Sequence, residues 1–302
     1  MTAATETAAA QARPLNGILL VVLATLAFAM SDVVTKQQSM RHPVAVVAAV
    51  RYLVNLGLLT VFLGPRLGSS LWRANRRGLV LVRGLCLALA SLTMGLALRL
   101  MPVGETVAIV YIAPFAVMLL AIPLLGERVK ASGWIGAGMG FLGVLLIVRP
   151  GGGLDPLGVA FALVNAGVST AYHLLTRYLA ASESTIALLY QTALVGSAIF
   201  CLMALGSLGN LAVGPADFAM MALLGLLSTL GHYLFTAAYR EAPASLLAPV
   251  NYLHLFWAGG LGWLVFGHLP DGWSLAGLAL VCASGAIVAW WAFAAKPGSA
   301  SR

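Results

Sequence analysis

The chain has 302 residues, of which 61% are apolar and only 9% charged, whereas an ordinary soluble domain is roughly a quarter charged. That balance, with a mean hydropathy of +0.97, excludes a water-covered enzyme, a disordered chain, a collagen-like repeat and a coiled coil. The formal charge of +8 comes from basic residues scattered at the ends of apolar runs, with no basic stripe interleaved with aromatics, so nucleic acid is not an expected partner. Cys86, Cys201 and Cys282 sit inside apolar runs without a CxxC spacing and read as small buried residues, not as a disulfide framework or a metal site.

In chain order, a small polar tail at 1–14 is followed by ten runs apolar enough to cross a hydrocarbon core, which takes about 20 residues. They lie near 15–35, 43–65, 79–99, 102–125, 131–149, 156–176, 184–208, 215–239, 243–266 and 272–293, and a polar tail closes the chain at 294–302. No A-x-A-like cleavage site follows the first run, which reads as a retained helix. The expected fold class is all-α, an integral membrane bundle of ten transmembrane helices. Of the 17 Lys and Arg, twelve fall on the side that carries both termini and five on the other. By the excess of positive charge on cytoplasmic loops, the expected location is the inner membrane with both termini in the cytoplasm.

A shift of 141 residues superimposes the two halves. It aligns Lys36 with Arg177, Arg99 with Arg240, Pro102 with Pro243, Tyr111 with Tyr252 and Gly126 with Gly267. The expected units are 15–150 and 151–293, with five spans each. An odd number of spans turns the second unit upside down relative to the first. Such inverted repeats let two halves exchange inward-open and outward-open shapes around a midplane site.

The fourth span runs from Pro102 through Tyr111 and Pro114 to LLGERV at Leu124–Val129, and enters a Gly-rich fifth span, GWIGAGMGFLGVLLIVRP. With Arg51 in VAAVRYLVNLGLL and Lys36 closing the first span, the chain resembles the EamA branch of the drug/metabolite transporter superfamily. Each half resembles one EamA domain, and Glu127 stands at the Glu of the family's Leu-Gly-Glu. In the second half the ending is FGHLP, with His268 in place of that Glu. The resemblance implies a secondary transporter working by alternating access. Its nearest subgroup is taken as the aromatic-amino-acid exporters, which implies export of aromatic or other neutral amino acids. Multidrug or organic-cation transport and nucleotide-type metabolite transport are the alternatives within the superfamily, and a passive channel is the alternative outside it. No HExxH, GxSxG or P-loop supports an enzyme. A small-molecule solute and the lipid bilayer are the expected partners. No cofactor or metal is expected, and no oligomeric partner is assigned.

Polar groups at membrane depth are costly and mark solute paths or interhelical bonds. Asn165, Ser169 and Tyr172 share one helical face at i, i+4 and i+7. His232 lies deep in the eighth span, and Asn251, Tyr252 and His254 lie in the ninth. With Tyr111 these form the expected substrate-binding set, in which the repeat-related tyrosines flank a planar solute. Ser169 bonding within its own helix, Tyr172 as an interfacial anchor and the histidines as interhelical partners are the competing readings. Asp32, and His173 that the shift aligns with it, are candidate proton carriers. For Asp32 a local bridge to Lys36, one turn on, is the favoured reading. Glu127, with Arg128 and Lys130, is expected to act as a gate or cap.

Overall fold

The computed structural model describes residues 14–125, 131–149, 153–179, 182–207, 213–241 and 250–294. The two tails, Gly126–Lys130 with the expected gate residue Glu127, and Pro249 lie outside the described residues. The elements are α1 (Pro14–Ser39), α2 (Val44–Leu67), a 3-10 turn (Gly68–Leu71), α3 (Arg77–Leu100), α4 (Val103–Val110), α5 (Ile112–Leu125) and α6 (Ala131–Val148). They continue with α7 (Pro156–Leu179), α8 (Thr185–Leu205), α9 (Pro215–Glu241), α10 (Leu253–Phe266) and α11 (Gly272–Ala294). The fold is an all-α bundle whose helices fall on the ten predicted spans, α4 and α5 sharing the fourth. Among the described residues, six helices are long and apolar enough to cross a membrane, and four shorter apolar helices occupy the fourth, fifth, ninth and tenth runs. Only helices close every backbone hydrogen bond inside one segment, which is why an apolar chain of this kind takes no other form in lipid. Leu264 and Leu202 are 76 and 69% exposed. An outward face of that character is matched to hydrocarbon, not water.

The inversion is visible in which helices pack together. α1 lies along α9, and α3 lies along α7. The 141-residue shift converts the first pair, spans one and eight, into the second, spans six and three. α2 against α8 and α6 against α11 pair repeat-mates directly. The close approaches repeat as well. A Cβ added at Gly84 would meet Val195 Cβ at 3.0 Å, and one at the equivalent Gly225 would meet the equivalent Val54 Cβ at 2.6 Å. Small residues are what let helices approach this closely without a solvent-driven force between them.

Helix starts are tied down by short local signals. Both Glu183 carboxylate oxygens accept backbone N–H groups at the start of α3, Asn75 at 3.0 Å and Arg76 at 2.7 Å. Ser184 caps α8 by accepting from Ala187 N–H at 3.1 Å. Asp271, just before α11, accepts a hydrogen bond from Arg149 at the end of α6 and another from Ser274 N–H. The Arg149 bond first, then the Ser274 N–H, lower its carboxyl to about 2.

Candidate functional site

The fourth span is broken at Tyr111, a turn residue with φ −67° and ψ 0° that ends α4. Pro114 has no N–H to offer the carbonyl of Val110, so the helix cannot run through continuously. The ninth span is broken at the repeat-related residue: Tyr252 has φ −69° and ψ −13° and precedes α10. The two rings meet at 5.5 Å between centroids, tilted by 53°. Each unit therefore delivers a half-helix junction to the same place. Among the described residues, the Asn251 side-chain amide makes no hydrogen bond. Its backbone carbonyl instead accepts one from Tyr111 OH at 3.0 Å.

A polar chain runs through this junction. Tyr111 OH lies 3.3 Å from His254 Nδ1, and His254 Nε2 lies 3.0 Å from Asp32 Oδ2. His254 and Asp32 side chains are 14 and 16% exposed, so the pair sits in largely dry surroundings. The expected bridge from Asp32 to Lys36 is not what forms. Lys36 Nζ donates to the carbonyls of Leu98 at 2.7 Å and Met101 at 2.6 Å, at the end of α3, and lies over the Phe266 ring. Those carbonyls have no next turn to accept from, and they attract the ammonium away from its own helix.

The larger described cavity, about 520 Å³, lies beside this junction toward the end of the bundle where α1 and α8 begin and α2 and α9 finish. Arg51, Asn55, Tyr172, His232 and Tyr233 supply its polar lining, and leucines of α2, α8 and α9 supply its apolar wall. Arg51 donates from Nε and Nη2 to Ser228 Oγ at 3.2 and 3.0 Å, which ties the second span to the eighth. Tyr172 is fixed by Arg83, whose Nη2 donates to its hydroxyl at 2.8 Å while the guanidinium covers the ring at 4.5 Å. Arg83 is 3% exposed and also donates to Thr176 and Thr192. Arg83 is one of the twelve basic residues counted on the side of the termini and was not singled out as a site residue; its position inside the third apolar run was the available signal.

At the opposite end the helices close around a smaller cavity of about 210 Å³. Glu105, buried at the start of α4, has Oε1 at 3.1 Å from His268 Nε2, and its Oε2 has no partner in the described structure. Glu105 was not singled out from sequence, although an acid three residues inside a span is costly unless partnered.

The structure thus divides the expected binding set. Tyr172 and His232 line the larger cavity. Tyr111, Asn251, Tyr252 and His254 line neither described cavity and form the junction. Asn165 is buried against α3, its Nδ2 reaching the Ala90 carbonyl, and Ser169 donates back to Asn165 Oδ1 at 3.2 Å. Their shared face is real, but its Asn165 end is an interhelical bond. His173 is exposed beside the Tyr172 ring, away from its repeat-mate's partner.

A chamber approached from one end of an inverted-repeat bundle, with helices packed together at the other, is the arrangement of a membrane transporter. Comparison with known proteins makes the class specific. The chain belongs to the EamA-like transporter family, whose pattern matches residues 15–149 and again 156–290. It is 31% identical to a riboflavin transporter of Rhizobium johnstonii, covering 92% of both chains. It is 28% identical to the pseudopaline exporter CntI of Pseudomonas aeruginosa, over 88% of this chain and 93% of that one. An S-adenosylmethionine uptake transporter of Rickettsia bellii is 24% identical over 88% of this chain and 90% of its own length. One crystal structure superposes with a TM-score of 0.67 at 21% identity, covering 93% of this chain and 98% of its own, and shows the same fold. The expected subgroup is corrected here: these relatives carry riboflavin, pseudopaline or S-adenosylmethionine in their names, and none is an aromatic-amino-acid exporter.

Proposed function

We propose that this transporter moves a planar, hydrogen-bonding organic metabolite of flavin type through the larger cavity by alternating access. The observation that carries the reading is the cavity's make-up. At about 520 Å³ it falls in the range of about 300–1,000 Å³ that encloses drug-sized ligands. Its lining offers phenol, imidazole, amide and guanidinium groups among leucine side chains. Aromatic faces suit a planar ring system, each good contact contributing about 0.5–1.5 kcal/mol beyond the area it buries. The 31% identity to a riboflavin transporter over 92% of both chains supports the same solute class. A carboxylate-bearing metabolite is the second reading. It is favoured by Arg51, whose Nη1 makes no hydrogen bond among the described residues and which lines the cavity.

In the proposed orientation the termini are cytoplasmic in the inner membrane, because twelve of the 17 Lys and Arg lie on their side. The larger cavity then faces the cytoplasm. A reporter fused after Arg302 should be cytoplasmic, and one in the loop before Pro215 should be outside; the reverse pattern overturns the orientation. The solute is tested by counterflow of labelled riboflavin into proteoliposomes, with competitors from flavins, carboxylates, organic cations and neutral amino acids. Exchange inhibited by planar heterocycles supports the reading. Exchange of amino acids with none of riboflavin overturns it.

A further inference from the structure

The chain Asp32–His254–Tyr111–Asn251 has a hydrogen-bond count that one additional proton completes. Tyr111 OH owns a single proton and faces two acceptors, the Asn251 carbonyl at 3.0 Å and His254 Nδ1 at 3.3 Å. With a neutral imidazole protonated on Nε2, the proton nearest Asp32, one of those acceptors goes unmet. With a doubly protonated imidazole every group is satisfied. Nε2–H donates to Asp32 Oδ2, Nδ1–H donates to the Tyr111 oxygen, and the Tyr111 proton goes to the Asn251 carbonyl. The same protonation makes the pair neutral in sum, whereas its absence leaves a bare carboxylate charge in a setting of low dielectric.

From this geometry, and resting on the transport reading above, we propose that Asp32, His254 and Tyr111 are a proton-binding site that carries the coupling ion of transport. The described conformation is its loaded form, with one proton held between the two units. Asp32 and Tyr111 belong to the first unit and His254 to the second, so any motion of one unit against the other strains this bond. When α1 and α10 separate, the Nε2–H bond breaks and an Oδ2–H bond forms, leaving a neutral acid and a neutral imidazole. Without the proton, the described contact keeps one acceptor unmet and a net negative charge in largely dry surroundings, and loses its advantage over the separated arrangement. Protonation therefore sets the balance between conformations.

Other titratable and charged groups around the pair have assigned places. His232 on α9 faces it across the Phe28 ring, which lies 5.0 Å from the His232 ring and 6.2 Å from that of His254. Tyr252 packs on Tyr111, and Cys282 on α11 packs against the same core. Lys36, one turn along α1, is held by the Leu98 and Met101 carbonyls, Arg51 on α2 by Ser228, and Arg83 on α3 by α7 and α8.

The test reads conformation without solute. Nitroxide labels at Arg66→Cys and Ala237→Cys, near the finishing ends of α2 and α9, are placed in a background with the three native cysteines replaced by alanine. Their distance distribution is recorded in nanodiscs from pH 6 to pH 8. The population of the described conformation should fall as pH rises, by up to about tenfold per pH unit for a single linked proton. Asp32→Asn and His254→Gln, both close in shape to the native side chains, should abolish the pH dependence, and Tyr111→Phe should flatten it. His232→Gln, His42→Gln and His268→Gln should retain it. No pH dependence in the parent, persistence in both Asp32→Asn and His254→Gln, or loss in His232→Gln with retention in His254→Gln overturns the proposal. Because no solute is added, a negative riboflavin assay leaves this result intact, and the converse also holds.

Discussion

The two half-helix junctions are mates in the repeat but differ in chemistry. At Tyr111 the hydroxyl is engaged by the Asn251 carbonyl and the His254 imidazole. The Tyr252 hydroxyl makes no hydrogen bond among the described residues, although its ring packs on Tyr111. The residues of the first unit that stand where Asn251 and His254 stand in the second are Val110 and Ala113, and Asp32 is matched by His173. The backbone keeps the two-fold relation and the polar side chains break it. A symmetric frame allows two exchanged shapes. An unsymmetrical polar cluster gives them different energies, and a ligand or ion can shift an equilibrium only by its differential affinity for the two states.

The sharpest way to break this comparison is to remove each hydroxyl alone. Tyr111→Phe leaves the Asn251 carbonyl and His254 Nδ1 unmet, a penalty of about 1–3 kcal/mol, and should lower transport by about 5–150-fold in proteoliposome flux. A second contrast uses the glycine pair. Gly225→Ala meets Val54 Cβ at 2.6 Å and the Arg51 carbonyl at 3.0 Å, and backbone cannot give way. Overpacking of this kind costs about 1–3 kcal/mol, and the melting temperature in detergent should fall further for Gly225→Ala than for Gly84→Ala. Equal falls would show that the close approach is shared evenly between the units. Tyr252→Phe keeps the ring contact with Tyr111 and should change proteoliposome flux by less than about 1 kcal/mol equivalent. A loss matching that of Tyr111→Phe would restore chemical symmetry to the junction.

The smallest effect is expected at the Asp271–Arg149 tie. Its carboxyl is held at about 2, below the ordinary aspartate value of about 3.9. A depressed acid contributes stability that is present above the unfolded value and lost as pH falls through the folded one. Wild type and Asp271→Asn should therefore diverge at neutral pH and converge between about pH 4 and 2, read by thermal unfolding.

The spans, the 141-residue register and the pairing of the two tyrosines were legible because Pro, Tyr and basic residues are rare in an apolar chain and their coincidences carry weight. The partners of those residues were not. α1, α10 and the fourth span are apolar around much of their circumference, so no stripe of polarity tells which side faces a neighbour. That is why Asp32 was assigned to Lys36, four residues away, when its partner His254 lies 222 residues along the chain. Arg83 was passed over for a related reason: a count of charges by side does not tell a buried guanidinium near a span end from an exposed one. Here four hydroxyl and carbonyl acceptors on α7 and α8 take it inside.

The interleaving of the two units also has a consequence for how the protein is made. α1 finds its main partner in α9 and α3 in α7, so the first unit emerges from the ribosome with its tightest packing surfaces still unmatched. Gly84 waits for Val195, and Val54 waits for Gly225. Spans of the first unit must therefore wait in the bilayer, loosely associated, while their partners are made: α3 for α7, α2 for α8, α1 for α9 and α6 for α11 at the end of the chain. Assembly becomes a late event involving the whole chain, and two halves supplied as separate polypeptides need each other before either is complete.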